Sequence, residues 1–235
     1  MSIFVAGLDL GQARDYSALV ILEGRGTLRK VEWEARDAIL GLPGMERCEV
    51  EVLPVSGMDV RHIERFKLGT KYKQIASEVG ARMRHIPQPR YLAVDETGVG
   101  VAVTELLAPL NPHGITITAG SEVTIVAPMK LRVPKRDLVA ALQVGLQTGM
   151  LRIAKGLPHA ELLVREMLAF RARISEAGHD TYEAWREQEH DDLVLAAAMA
   201  AWMVEQAFRV RQAEIEEELL RRRLAVVGVG GISAI

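Results

Sequence analysis

Acidic residues occur at three widely separated places where an apolar segment begins or ends. Asp9 and Asp95 each close a short apolar run, and the pair Asp191 and Asp192 directly precedes a long apolar segment. Carboxylates gathered in one water-poor place repel one another and usually need a cation to stay together. Hard divalent ions such as Mg²⁺ take oxygen ligands of this kind. Read jointly, the acids predict a divalent-metal site.

Each acid also has a purely structural explanation. Asp191 or Asp192 is suited to cap the following helix, a role worth about 1 kcal/mol. Asp15 is suited to bind turn amides, and Asp95 to begin an Asx-turn before Gly98. Two adjacent acids exceed what one helix cap requires, which favours the joint interpretation.

The composition predicts a single globular domain with a sizeable core. Of 235 residues, 49% are hydrophobic and 26% are charged. The longest apolar run, residues 193–204, is short for a membrane span, and the first residues lack a basic segment and a cleavage site. We therefore expect a soluble cytoplasmic protein. The lone cysteine, Cys48, excludes a disulfide framework and a thiolate zinc site.

The net charge of −2 argues against a protein that coats nucleic acid with a strongly basic surface. Any contact with phosphate must be local, and the strongest basic cluster consists of Lys130, Arg132, Lys135 and Arg136. It lies between an expected hairpin and a helix start, where side chains and free amides both meet phosphate. No P-loop sequence is present, and the histidines lack zinc-ligand spacing. His190 is of interest only because it adjoins the acid pair.

Hydrophobic periodicity predicts strands early in the chain and helices later. Strands are expected at residues 3–10, 16–23, 28–33, 48–55, 91–94, 115–118, 123–126 and 150–154. Helices are expected at residues 72–83, 98–107, 134–148, 160–170 and 193–208, with a charged extension at 214–223. The first two strands read as an antiparallel pair, with Asp9 at their turn.

Three motifs resemble, in order, the acidic motifs of the nuclease domain of phage large terminase subunits, which cut concatemeric genomes during DNA packaging. They are Gly7-Leu8-Asp9-Leu10-Gly11 followed by Asp15, residues 92–100, and residues 190–196. Weaker similarities lie at residues 68–72 and 133–138. The resemblance covers most of the chain.

This resemblance implies an α/β fold, a ribonuclease H-like mixed β-sheet flanked by α-helices, over residues 1–224, followed by an apolar, glycine-rich tail at 225–235. It also implies metal-dependent endonuclease activity on double-stranded DNA by two-metal phosphodiester hydrolysis with Mg²⁺ or Mn²⁺. The implied metal ligands and catalytic residues are Asp9, Asp95, Asp191 and Asp192. Asp15 and His190 are expected beside the metals without touching them. Lys130, Arg132, Lys135 and Arg136 are expected on the DNA backbone.

The implied partners are double-stranded DNA, a separate packaging ATPase, the small terminase subunit and the portal, with no membrane. If the protein is phage-encoded, its place is the host-cell cytoplasm. Packaging terminases usually carry an ATPase motor ahead of this nuclease, and this chain has no P-loop for one. Three explanations fit: an excised domain, a nuclease whose ATPase is encoded separately, or a remnant with altered activity.

Three other functions fit part of the pattern. Another ribonuclease H-fold nuclease, such as a Holliday-junction resolvase, would share the metal chemistry. The actin-like and sugar-kinase ATPases also open with a Gly-x-Asp-x-Gly strand, but they need two such halves. A non-catalytic packaging assembly protein would use the charged helix and the apolar tail for docking.

Overall fold

The computed structural model describes residues 1–11, 15–33, 48–98, 100–177 and 191–229. The strands are β1 (Ser2–Asp9), β2 (Ala18–Gly26), β3 (Arg29–Trp33), β4 (Cys48–Val52), β5 (Val55–Arg65), β6 (Arg90–Asp95), β7 (His113–Thr118), β8 (Thr124–Ala127), β9 (Lys130–Pro134) and β10 (Leu151–Ile153). The helices are α1 (Tyr72–Arg84), α2 (Gly100–Leu106), α3 (Lys135–Gln147), α4 (Ala160–Ala177) and α5 (Asp192–Val229). A short 3₁₀ turn covers Ala108–Leu110.

Eight strands form one mixed sheet in the order β10-β5-β2-β1-β6-β7-β9-β8. The central strand β1 pairs antiparallel with β2 on one side and parallel with β6 on the other. β6, β7 and β9 continue in parallel, so their carboxyl ends lie at the same edge as that of β1. The mixed sheet with flanking helices confirms the predicted fold class, and the antiparallel pairing of β1 and β2 is also confirmed.

The two faces of the sheet bury different helices because side chains alternate along each strand. On β1, Ile3 and Val5 join a cluster that includes apolar residues of α3, α4 and α5. Ala6 and Leu8 point the other way, into a cluster with α1 and α2. The predicted face of α1, which carries Ile75, is buried as expected. The core is therefore two helical layers on one sheet.

The start of α5 lies against β1 more closely than any side chain would allow. A Cβ atom at Gly7 would lie 2.0 Å from the carbonyl oxygen of Ala196 and 3.1 Å from the amide nitrogen of Ala200. The alanines at positions 196–201 of α5 are fully buried, and their small side chains let the helix backbone approach the sheet. Among the described residues, α5 has the length and apolar composition of a membrane span, but 67% of that apolar window is buried. It is a core helix.

Two strands depart from the sequence prediction. The expected strand at 48–55 is two strands, because Val55 opens the eleven-residue β5. Ile21 pairs with His62 while Leu22 pairs with Val60, so a bulge at Arg61 breaks the alternation that reveals a strand. The segment that holds Lys130 and Arg132 was expected to be a connection, but it forms β9.

The last helix also differs from the prediction. The expected separate segments at 193–208 and 214–223 form one continuous helix, α5, because no glycine or proline interrupts them. Its charged part includes the predicted i,i+4 pair of Glu217 and Arg221, with Nη2 and Oε1 2.6 Å apart. The helix includes residues 225–229 of the predicted tail, and residues 230–235 lie outside the described residues.

Adding one methyl group at Gly7 should destabilise the protein strongly. Gly7→Ala forces the backbone of α5 away from β1, and overpacking of this kind costs about 1–3 kcal/mol or more. Chemical denaturation of the purified variant measures the loss. Gly80→Ala is the matched control, because a Cβ there meets only the Arg84 guanidinium at 3.7 Å and a helical glycine-to-alanine change is worth about 1 kcal/mol of added stability. Equal stability of Gly7→Ala and wild type would contradict the close packing.

Candidate carboxylate site at the sheet edge

Asp9 and Asp95 end two neighbouring parallel strands at the same level. Leu8 of β1 is the partner of Val94 of β6, so each aspartate is the next residue on its strand. Asp9 lies four residues after Val5, and Asp95 lies two residues after Ala93. Side chains an even number of positions apart on a strand point to the same face, so both carboxylates lie on the face covered by α5. Both residues are buried, with 7% and 9% exposure.

Asp191 and Asp192 reach the same place from the start of α5. Asp192 is the first residue of the helix and is buried, and the carbonyl oxygen of Asp191 accepts a hydrogen bond from the Leu195 amide at 2.9 Å. Because α5 presses on Gly7, two residues before Asp9, its amino-terminal end lies over the ends of β1 and β6. The structure thus brings together the four acids singled out in the sequence.

Burial and mutual repulsion raise the pKa of Asp9 well above its usual range. Burial is the larger cause, followed by the negative charges of Asp95, Asp192 and Asp191 in that order. Asp9 and Asp95 also share a side-chain hydrogen bond, for which one of the two carboxyl groups must carry a proton and donate it. A divalent cation bound between these oxygens would replace that proton and remove the repulsion.

The carboxylate oxygens of the described residues are not arranged as the ligands of a preformed metal site. Within the described segments, no three histidine, cysteine or acidic side chains are grouped closely enough to hold one ion. Two of the four acids face cations of the protein instead, since Asp192 pairs with Arg65 and Asp191 lies 4.0 Å from the Lys135 ammonium group. The donor set fits a hard divalent cation by its chemistry and charge, and the side chains must reorient to bind one.

A buried ion-pair cluster supports the start of α5. Arg65, the last residue of β5, places Nη2 3.0 Å from Oδ2 of Asp192 and Nη1 3.8 Å from Oε1 of Glu166 on α4. Its guanidinium carbon lies 3.8 Å from the centre of the Tyr16 ring. Glu166 in turn accepts a hydrogen bond from the Leu193 amide at 3.2 Å, at the amino terminus of α5. Burial raises the pKa of Glu166 to about 7.

The two residues expected beside the metals have different outcomes. Asp15 is exposed, lines a cavity with Lys67 and Lys71, and is not among the residues that raise the pKa of Asp9. His190 lies outside the described residues. The Asx-turn considered for Asp95 is present, because its Oδ1 accepts a hydrogen bond from the Thr97 amide at 2.7 Å. The Asx-turn therefore does not prevent the Asp95 carboxylate from lying beside Asp9.

The four basic residues expected on DNA divide into two groups. Lys135 and Arg136 begin α3, at the sheet edge where β9 ends beside β7. Lys135 is mostly buried and faces Asp191, whereas Arg136 is 53% exposed and donates a hydrogen bond to the carbonyl oxygen of Ser121 at 2.6 Å. Lys130 and Arg132 alternate with the buried side chains of β9, so they project from the face opposite α5.

Comparison with known proteins gives similarity at the level of structure. No protein-family model matches the sequence, and no significant match was found among curated proteins. Among solved structures, the chain is similar to the large terminase nuclease from thermophilic phage G20c, with 16% identity, a TM-score of 0.47, and coverage of 85% of this chain and 81% of that one. The α/β class of this chain rests on its own mixed sheet and flanking helices.

Two further solved structures show similarity to this chain, with lower TM-scores. The human cytomegalovirus terminase nuclease domain, described as Mn soaked, is 11% identical with a TM-score of 0.43 and coverage of 85% and 82% of the two chains. RuvC of Thermus thermophilus is 18% identical with a TM-score of 0.36 and coverage of 88% of this chain and 95% of that chain. The chemistry of the carboxylate site is inferred from its own residues.

Replacing Asp9 by asparagine should stabilise the metal-free protein at neutral pH. A carboxyl group whose pKa is raised in the folded state favours folding at low pH, and this contribution is lost as pH rises from its usual pKa through the raised one. An asparagine side chain does not ionise, so thermal melting in EDTA should show Asp9→Asn above wild type at pH 7, with the gap closing below about pH 4. Asp59→Asn, which removes an acid paired with Arg25 and Arg152, should give no such gain. A variant less stable than wild type at every pH would contradict the repulsion.

Proposed function

We propose that this chain is a metal-dependent endonuclease that cleaves double-stranded DNA by phosphodiester hydrolysis with two Mg²⁺ or Mn²⁺ ions. The observation that carries the proposal is the convergence of Asp9, Asp95, Asp191 and Asp192 at one edge of the sheet, from segments about 90 residues apart in sequence. The three motifs that resemble terminase nucleases contain the same four residues. Their mutually repelling carboxylates, three of them buried, provide the negative charge that a catalytic divalent-metal centre requires.

In this mechanism, Asp9 and Asp95 hold the central position, since they meet on adjacent strands and share a hydrogen bond. Asp191 and Asp192 complete the donor set from the start of α5. Bound divalent ions supply an activated water and offset the charge on the departing oxygen. The rigid sheet edge orients the carboxylates, and Lys135 and Arg136 bring positive charge to the side from which a phosphate approaches.

The biological substrate that we propose is a phage genome concatemer cut during packaging, in the cytoplasm of the host. The nuclease would then act with a separate packaging ATPase, the small terminase subunit and the portal. The resemblance of three ordered motifs to the terminase nuclease domain supports this assignment. A resolvase of the same fold differs in substrate, so four-way DNA junctions belong in the same assay as linear and supercoiled duplexes.

Asp95→Asn should abolish cleavage while the protein remains folded. Its amide removes one anionic ligand but keeps the size of the side chain and an oxygen that accepts the Thr97 amide. We expect Mg²⁺- or Mn²⁺-dependent nicking or cutting of plasmid DNA by wild type, none with EDTA, and a loss of at least about 100-fold in the variant. Asp59→Asn, on a surface away from the carboxylate site, is the control and should cleave like wild type. Undiminished cutting by Asp95→Asn would rule out the proposed site, and preferential cutting of junctions would favour a resolvase.

Removal of Arg136 should weaken DNA binding more than it slows cleavage of bound DNA. The side chain is exposed at the carboxylate edge, so a backbone phosphate contact is its expected role. For Arg136→Ala we expect lower affinity for duplexes of any sequence and a fall of about one in the slope of log K against log salt. Arg132→Ala tests the other face of the sheet, and Arg211→Ala on the exposed part of α5 is the control. An Arg136→Ala slope equal to that of the Arg211→Ala control would exclude the contact.

A further inference from the structure

We propose that Arg65 is a positioning residue that acts as an internal counter-cation, holding Asp192 in place and offsetting its charge when no divalent ion is bound. This role rests on the proposed function only in taking the four carboxylates as one site. The sequence motifs do not include Arg65, and it enters through its contacts in the fold. In this role, Arg65 acts through Asp192 and does not itself touch the substrate.

The contact between Arg65 and Asp192 is buried and direct. Their side chains are 12% and 7% exposed, and Nη2 of Arg65 lies 3.0 Å from Oδ2 of Asp192. Charge-assisted hydrogen bonds of this length are among the stronger ones in proteins. Burial excludes most of the water that would otherwise screen the two charges. The guanidinium therefore places a positive charge directly against this carboxylate.

Three elements fix the position of the guanidinium. β5 ends at Arg65, which pairs with Ala18 of β2, so its backbone is set by the sheet. The Tyr16 ring packs against one face of the guanidinium. Glu166 on α4 lies 3.8 Å away, and the Leu193 amide of α5 holds the carboxylate of that glutamate. Arg65 thus joins β5, α4 and the start of α5 around Asp192.

This arrangement explains how a crowded carboxylate site folds without metal. Asp192 is one of the acids that repel Asp9, and a positive charge 3.0 Å from Asp192 reduces that repulsion. A simple structural role would instead depend on the volume and packing of the arginine side chain. The two roles differ in one measurable way. If Arg65 acts as a counter-cation, the stability lost on removing it becomes smaller when another cation binds the site or when Asp192 loses its charge. If it acts only by packing, that loss stays the same.

The first test is a double-mutant cycle in metal-free protein. Melting temperatures are measured in EDTA for wild type, Arg65→Gln, Asp192→Asn and the double variant. We expect Arg65→Gln to lower the melting temperature by several degrees, and the added Asp192→Asn change to recover part of the loss. Arg65→Lys should retain an intermediate stability, because it keeps the charge but not the fork that reaches both acids. If Arg65→Gln alone does not fold, the double variant and Arg65→Lys still give the comparison. Additive effects in the cycle would overturn the proposal.

The matched control is Arg61→Gln on the same strand. Arg61 is 53% exposed and pairs with Glu23 at the surface, so its loss should change the melting temperature little. A fall as large as that of Arg65→Gln would show that any arginine of β5 has this effect and would overturn the specific role.

The second test adds Mn²⁺ and separates this role from the proposed function. A counter-cation role predicts that Mn²⁺ raises the melting temperature of Arg65→Gln more than that of wild type, because the ion replaces the missing charge. An equal deficit with Mn²⁺ and with EDTA would indicate packing alone and overturn the proposal. If Mn²⁺ shifts no variant, wild type included, the metal assignment of the proposed function is wrong, while the cycle in EDTA still decides the role of Arg65.

Discussion

Mutual repulsion among four carboxylates, three of them buried, is the constraint around which this fold is arranged. α5 can bring Asp191 and Asp192 over the ends of β1 and β6 only because Gly7 leaves room for its backbone at Ala196. The apolar burial of α5 against β1 and β2 then holds the charges together. A well-packed core supplies the free energy that the site costs, because residues 193–204, which directly follow the two acids, are almost all buried.

Two basic side chains of the protein lie beside the acids. Arg65 and Lys135 approach Asp192 and Asp191 from two sides. Two of the four acids thus already face basic side chains, and no preset ligand geometry for an ion is found among the described residues. For the proposed metal ions to bind, Asp191 and Asp192 would exchange contacts with basic side chains for contacts with the ions, and the free-energy difference between the two sets of contacts would determine the affinity.

The sequence predicted what depends on short-range pattern and missed what depends on contacts across the fold. Periodicity identified α1 and the strands that end at Asp9 and Asp95, and the acidic motifs identified the four carboxylates. β5 was not predicted because the bulge at Arg61 breaks the alternation of apolar and polar residues along the strand. Arg65 and Glu166 were not predicted for another reason. Their partners lie 127 and 27 positions away in sequence, and a single charged residue near a strand end or within a helix carries no periodic signal.

The distribution of compensating charge points to where a cation is needed most. Asp191 and Asp192 lie at the amino terminus of a 38-residue helix, whose dipole favours anions, and each also faces a basic side chain. Asp95 receives a hydrogen bond from the Thr97 amide. Asp9 has no ion pair with a basic side chain in the described part of the chain, and it is the acid whose pKa is raised by the other three. A divalent ion would therefore relieve the most electrostatic repulsion at the Asp9–Asp95 pair. Asp191 and Asp192 are better suited to serve as additional ligands of an ion held by that pair.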